Sequence, residues 1–219
     1  MIELLAAVAV FLLTHMLPAV RPLRERVVHL IGEGRYIVLF SLLSIAVVVW
    51  LGWAYAKAPY IEVWPQAPWS RWVPLTVMAV VCLLAVIGLS SPNPFSLGAG
   101  RARFDPARPG IVAMVRHPVV WALVLWSAAH IPPNGDVASL ILFGLLTVLG
   151  LTGPSTLDRR RRRAMGEAVW AETADRVTEM RWGEAVLQIG LWRFAGAGAV
   201  YAALLYAHEW VIGVSPFPL

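Results

Sequence analysis

Apolar residues along the chain gather into six long blocks separated by polar or proline-rich breaks, at 1–20, 36–56, 72–89, 111–131, 137–156 and 189–212. Each block is close to the ~20 residues that an α-helix needs to cross a bilayer. None alternates with the period of two that a half-buried strand requires, so the pattern predicts an all-α integral membrane bundle of about six spans. After the fifth block, charged residues are interleaved with Met165, Val169, Trp170 and Val177, at spacings near four and seven. That spacing predicts an amphipathic helix lying on a membrane surface. The first block opens Met-Ile-Glu and lacks a small-x-small exit, so it is expected to persist in the mature protein. The whole chain, 1–219, is expected to form one transmembrane domain.

Charge adds orientation. The first, third and fifth connections carry Arg21, Arg24, Arg26 and Arg35; Arg101, Arg103, Arg108 and Arg116; then the run Arg159 to Arg163 with Arg176 and Arg181. The second has only Lys57 and Arg71, and the fourth, 132–136, has no Lys or Arg. The positive-inside rule therefore predicts that the odd connections face the cytoplasm and that both termini lie outside. Trp64, Trp69, Trp72 and Trp210 sit at block ends, where indole rings prefer the headgroup region. Net charge is +5 with 14% charged residues. Because the basic residues lie between apolar blocks, they argue for anionic headgroups as the partner rather than nucleic acid. The single cysteine, Cys82, lies within an apolar block and reads as a core residue.

Histidine supplies the candidate chemistry. Of five His, His15 lies within the first apolar block and His130 closes the fourth. An ionisable group inside hydrocarbon costs roughly 3 kcal/mol or more, which makes both functional candidates. Imidazole suits iron, and two can hold a haem from both faces. Each also has a structural reading: His15 as partner of a carbonyl freed by Pro18, His130 as an interfacial residue. Ser127, Ala128 and Ala129 would let a flat macrocycle or a neighbouring helix approach closely. With the N-terminus outside, His15 lies ~21 Å along its helix and His130 near the outer face, so pairing them requires tilt or a bend at Pro18. Arg116-His117-Pro118 opens the fourth block as an anion-binding cluster or an inner-leaflet anchor. Arg24, Arg35 and Arg116 are candidate propionate partners, because guanidinium forks match carboxylates. His29 and His208 read as peripheral.

The order Thr14-His15, Pro22-Leu23-Arg24, Gly32-Glu33-Gly34-Arg35-Tyr36, Arg116-His117-Pro118, Trp126-Ser127-Ala128-Ala129-His130, Asn134-Gly135-Asp136 and Gly166-Glu167-Ala168-Val169-Trp170 resembles the NnrU family, with the motifs falling within 1–182. The resemblance implies a link to denitrification and nitric oxide metabolism. Through its similarity to 15-cis-zeta-carotene isomerase, it also implies haem b held by His15 and His130, and a long apolar substrate entering from the membrane. The isomerase carries Cys where this chain has Ser127, so thiolate exchange is not expected here. The Arg-His-Pro opening is also similar to membrane S-adenosylmethionine-dependent methyltransferases, which implies a nucleoside cofactor among Arg116, His117 and 158–170. A third reading is a non-enzymatic assembly factor for respiratory nitric oxide reductase.

Overall fold

A computed structural model describes residues 1–16, 20–96 and 103–218. Both the bend expected at Pro18 and the loop position Arg101 lie outside them. Nine α-helices are described: α1 (Ile2–Met16), α2 (Arg21–Ile31), α3 (Glu33–Ala56), α4 (Trp72–Ser90), α5 (Pro118–His130), α6 (Val137–Met165), α7 (Glu167–Thr178), α8 (Trp182–Ile189) and α9 (Leu191–Ile212), with a 3-10 turn at Gly110–Ala113. The only extended pairing among the described residues is an isolated antiparallel bridge between Glu62 and Asp136.

α3, α4 and α6 are long and apolar enough to cross a membrane, and α8 with α9 makes a fourth candidate, bent by 73° at the break. The all-helical, membrane-compatible class follows; among the described residues three helices are long enough to span, or four if the bent pair is one span. α5 explains part of the difference. The residue before a proline is kept out of the helical region, and His117 sits at φ −121°, ψ 61°. The block predicted at 111–131 therefore yields a 13-residue helix, about 20 Å long. α1 has 15 residues. α6 runs the other way: it continues through the arginine run for 29 residues, since Arg is a good helix former.

Two compact units are present, one of residues 1–64 and 136–142, the other of 65–135 and 143–219. In the first unit α1 and α2 pack on α3, burying Leu4, Ala7, Val47, Leu51 and Ala54. Tyr55 Oη and Ser139 Oγ are hydrogen-bonded at 2.8 Å, and Val137 N–H donates to Ile61 O.

In the second unit α4 packs on α5 and α9. Gly88, Gly150 and Gly153 permit the close helix approaches: a Cβ at Gly150 would stand 2.6 Å from Val124 Cγ2, and one at Gly153 2.8 Å from Val120 Cγ1. A core of Ile87, Phe95, Ile111, Val112, Trp170, Ala174, Val177 and Ile189 fills one end of this unit. The amphipathic segment is helical as expected, but the use of its apolar face is different. Trp170, Ala174 and Val177 are buried against protein, while Val169 is exposed. The turn that aims α7 back is Gly166, at φ 86°, a conformation that costs a residue with a Cβ.

Candidate functional site

The most heavily built polar cluster lies where α5 begins. Pro118 supplies a fixed φ at the first helical position and holds Arg116 and His117 just outside the helix. Across from them, Asp158 near the end of α6 receives both: Arg116 Nη1 donates to Oδ2 at 3.1 Å, and His117 Nε2 to Oδ1 at 3.0 Å. Asn93, itself buried, donates to the Arg116 carbonyl at 2.9 Å. Its Oδ1 accepts the amides of Phe95 and Ser96, so one side chain ties the 92–96 turn to the mouth of α5. The Arg116 guanidinium lies 5.4 Å from the Phe95 ring centre and 5.0 Å from that of Trp170. Arg162 covers Trp170 at 3.9 Å.

His117 is 3% exposed. Burial pushes its pKa below the ordinary histidine value, and the Asp158 carboxylate only partly offsets that. The ring is therefore neutral near pH 7. With Nε2–H given to Asp158, Nδ1 is a bare acceptor, and it is buried without a partner, as are Ser96 Oγ and Trp170 Nε1. Such orphaned groups are rare in folded proteins.

The two histidines singled out for iron share one geometry. His15 Nδ1 lies 2.8 Å from Phe11 O, and His130 Nδ1 lies 2.6 Å from Trp126 O. A carbonyl only accepts, so Nδ1 is the donor in both, and in the neutral ring this leaves Nε2 as the nitrogen with the lone pair. The His15 ring packs on Phe11 at 4.1 Å; the His130 ring packs on Phe143 at 5.3 Å and Trp126 at 5.6 Å. The small-residue face before His130 is used by protein: Ser127 is fully buried, and Thr147 Oγ1 donates to its hydroxyl at 2.9 Å. At Ser127 that face meets α6.

The expected propionate partners divide. Arg24 is held by Glu33 at 3.0 Å and lies over Tyr36, and Arg116 is held by Asp158. Arg35 is exposed and has no ion pair among the described residues. His15, Arg24 and Arg35 belong to the first unit, and Arg116, His117 and His130 to the second. Arg116 and His117 stand just before α5, at the end opposite His130 and about 20 Å from it along the axis. No cluster of three or more His, Cys, Asp or Glu placed for a metal ion occurs among the described residues. Asn93, Ser96 and Arg162 were not singled out as site residues from the sequence; Asn-Pro between two apolar blocks was the available signal for the first.

Several membrane-length apolar helices, with a polar cluster at the mouth of α5 and no strand-built domain among the described residues, define a helical membrane protein. The family model described as NnrU protein matches residues 3–216, and the chain belongs to that family. It is also similar to Nurim of Xenopus laevis, 25% identical over 144 residues, covering 57% of this chain and 50% of that protein; the chain thus spans about half the length of this curated relative. No solved structure matches the chain.

Proposed function

We propose that this NnrU-family protein is a haem b protein of the bacterial inner membrane, ligated by His15 and His130, and that it serves nitric oxide metabolism. One observation carries the reading: both imidazoles have Nδ1–H fixed on the carbonyl four residues earlier, leaving Nε2 as the ligating atom. Metal-bound histidines ordinarily have their second nitrogen held in this way. The donor set fits haem iron. The arginines fit less completely, because Arg24 is engaged by Glu33, Arg116 stands at the end of α5 opposite His130, and Arg35 is the guanidinium left for a propionate. Haem, when bound, supplies one-electron chemistry and a site for a diatomic ligand. Ser127 donates to Leu123 O at 2.9 Å and accepts from Thr147, so it offers iron no ligand. This favours electron transfer or sensing over isomerase-type ligand exchange. The topology proposed with it has six passes, counting the short α1 and α5 with their flanking apolar residues, the arginine-rich ends in the cytoplasm and both termini outside. A membrane nitric oxide reductase is the partner class proposed.

The S-adenosylmethionine reading gains one observation, since Arg116, His117, Asp158 and Trp170 do come together. It loses another: the Trp170 face that would stack on a purine is covered by Arg116 and Arg162, and Phe95 meets its edge at 5.8 Å. With that stacking surface taken, the haem reading is the better supported of the two.

The test is the visible spectrum of the detergent-purified protein, oxidised and dithionite-reduced, with a pyridine haemochrome count. A Soret band with split reduced bands, and loss of the six-coordinate form in both His15→Ala and His130→Ala, is expected. Protein expressed with ample haem and showing no Soret band would overturn the assignment.

A further inference from the structure

Beside the Arg116–His117–Asp158 cluster, and outside the haem reading, a shallow cleft of about 370 Å³ opens between α4 and α5. Arg116 and His117 line one end, while Leu84, Trp121 and Leu125 line the rest. Positions 117, 121 and 125 recur every four residues and so share one face of α5. From His117 to Leu125 that face runs about 12 Å along the axis. Trp121 is 38% exposed, so the apolar part of the cleft is open at the surface.

The polar end lacks partners of two kinds. Arg116 uses only Nη1 among the described residues, which leaves guanidinium N–H groups able to meet an anion. α5 starts without a side-chain cap, placing the positive end of its dipole beside them. His117 Nδ1 is a buried acceptor with no donor. A head that satisfies both is acidic and carries a hydroxyl; a wall that continues as Leu84, Trp121 and Leu125 calls for an alkyl chain.

We propose that this cleft binds an anionic lipid with a hydroxyl-bearing headgroup, taken from the leaflet on the arginine-rich side. The acidic group sits at Arg116, the hydroxyl donates to His117 Nδ1, and one chain lies along Leu84, Trp121 and Leu125. Complementarity selects this occupant: an apolar substrate alone leaves the remaining Arg116 N–H groups and His117 Nδ1 without partners, and a soluble anion leaves the apolar wall bare.

Native mass spectrometry of the full chain in detergent tests this, with short-chain phosphatidylglycerol, phosphatidylcholine and glycerol phosphate as probes. Phosphatidylglycerol is expected to be retained at least about tenfold more tightly than phosphatidylcholine, and Arg116→Gln to weaken it about tenfold, the effect of losing one charge-assisted contact. Arg26→Gln, an exposed charge on α2, should change nothing. Leu84→Trp, which fills the apolar wall, should weaken phosphatidylglycerol while leaving glycerol phosphate unaffected. Equal binding of the two lipids, or an unchanged Arg116→Gln, would refute the headgroup assignment. Glycerol phosphate displacing the lipid at equal concentration would make this a soluble-anion site and refute the lipid. If Arg116→Gln does not fold, Arg116→Lys answers the same question: it keeps the charge, loses the fork, and should bind several-fold more weakly.

Discussion

Asp158→Asn removes the one carboxylate that two helices share at the mouth of α5, and its cost follows from exposure. The His117 side chain is 4% exposed and that of Asp158 22%, so their contact is a buried hydrogen bond to a charged group, worth about 1.5–3 kcal/mol. The Arg116 side chain is 36% exposed, and solvent screening holds that pair to about 1 kcal/mol or less. An asparagine keeps one acceptor and returns part of the first term, leaving a net loss of about 2 kcal/mol. At about 2–4 °C per kcal/mol for a chain of this size, melting should fall by about 4–8 °C. Cys82 provides the assay: it is the single cysteine and is 2% exposed, so a thiol-reactive dye reports unfolding directly. A shift below about 1 °C would show that Asp158 is solvated and that α5 and α6 are not joined through it.

Lowering the pH should destabilise the wild type below about 6.5. Folded His117 binds its proton less readily than the unfolded chain, so stability present above that value is lost as pH falls towards the folded pKa. His117→Gln should flatten the dye-melt profile, and Asp158→Asn, which removes the carboxylate that favours protonation, should steepen it. Gly150→Val is expected to lower melting by about 1–3 kcal/mol worth of overpacking, because the Val124 side chain already occupies the space for a Cβ. Gly198→Ala, with nothing within 4 Å of its Cβ position, should be neutral or stabilise by up to about 1 kcal/mol; equal effects at the two glycines would refute the close α5–α6 approach. Arg193→Met should cost about 1–3 kcal/mol, since its guanidinium donates to Ser90 Oγ at 3.0 Å and Ser90 O at 3.2 Å. An unchanged melt would show that α9 does not clamp the end of α4.

Hydrophobic blocks alone place α3, α4, α6 and α9, because burial in lipid or protein demands the same long apolar run. Helix ends were less legible. Pro118 is a visible stop signal, yet the block 111–131 reads as continuous until the backbone cost at His117 is weighed against the apolar stretch before it. Arg159 to Arg163 reads as a connection if charge ends a span, whereas a helix leaving the membrane has no reason to stop there. The direction of the α7 face was not legible at all: Trp170, Ala174 and Val177 make the same amphipathic pattern whether they meet lipid or Phe95 and Ile111. What decides between them is Asn93, which pins the 92–96 turn and with it Phe95, leaving an apolar surface for α7 to cover.

The same reasoning separates the two candidate sites. An imidazole in an apolar helix can be read from sequence, since burial of an ionisable group is costly wherever it occurs, and His15 and His130 stand out on that ground. A shared carboxylate cannot be read this way. Asp158 lies 41 residues from His117, in a region where charge is plentiful. Only the fold distinguishes it from its neighbours, by placing it against a histidine that the chain has otherwise buried. Arg116 follows from that placement. Held by Asp158 through a single nitrogen and flanked by Phe95 and Trp170, it is fixed in orientation with donors to spare, which is the condition for recognising an acidic group rather than merely neutralising one. Within the run at 159–163, Arg162 is instead drawn to Trp170 and Glu167. Under the lipid proposal Arg116 is therefore the residue placed for recognition, and the arginine run in the last turns of α6 contributes field.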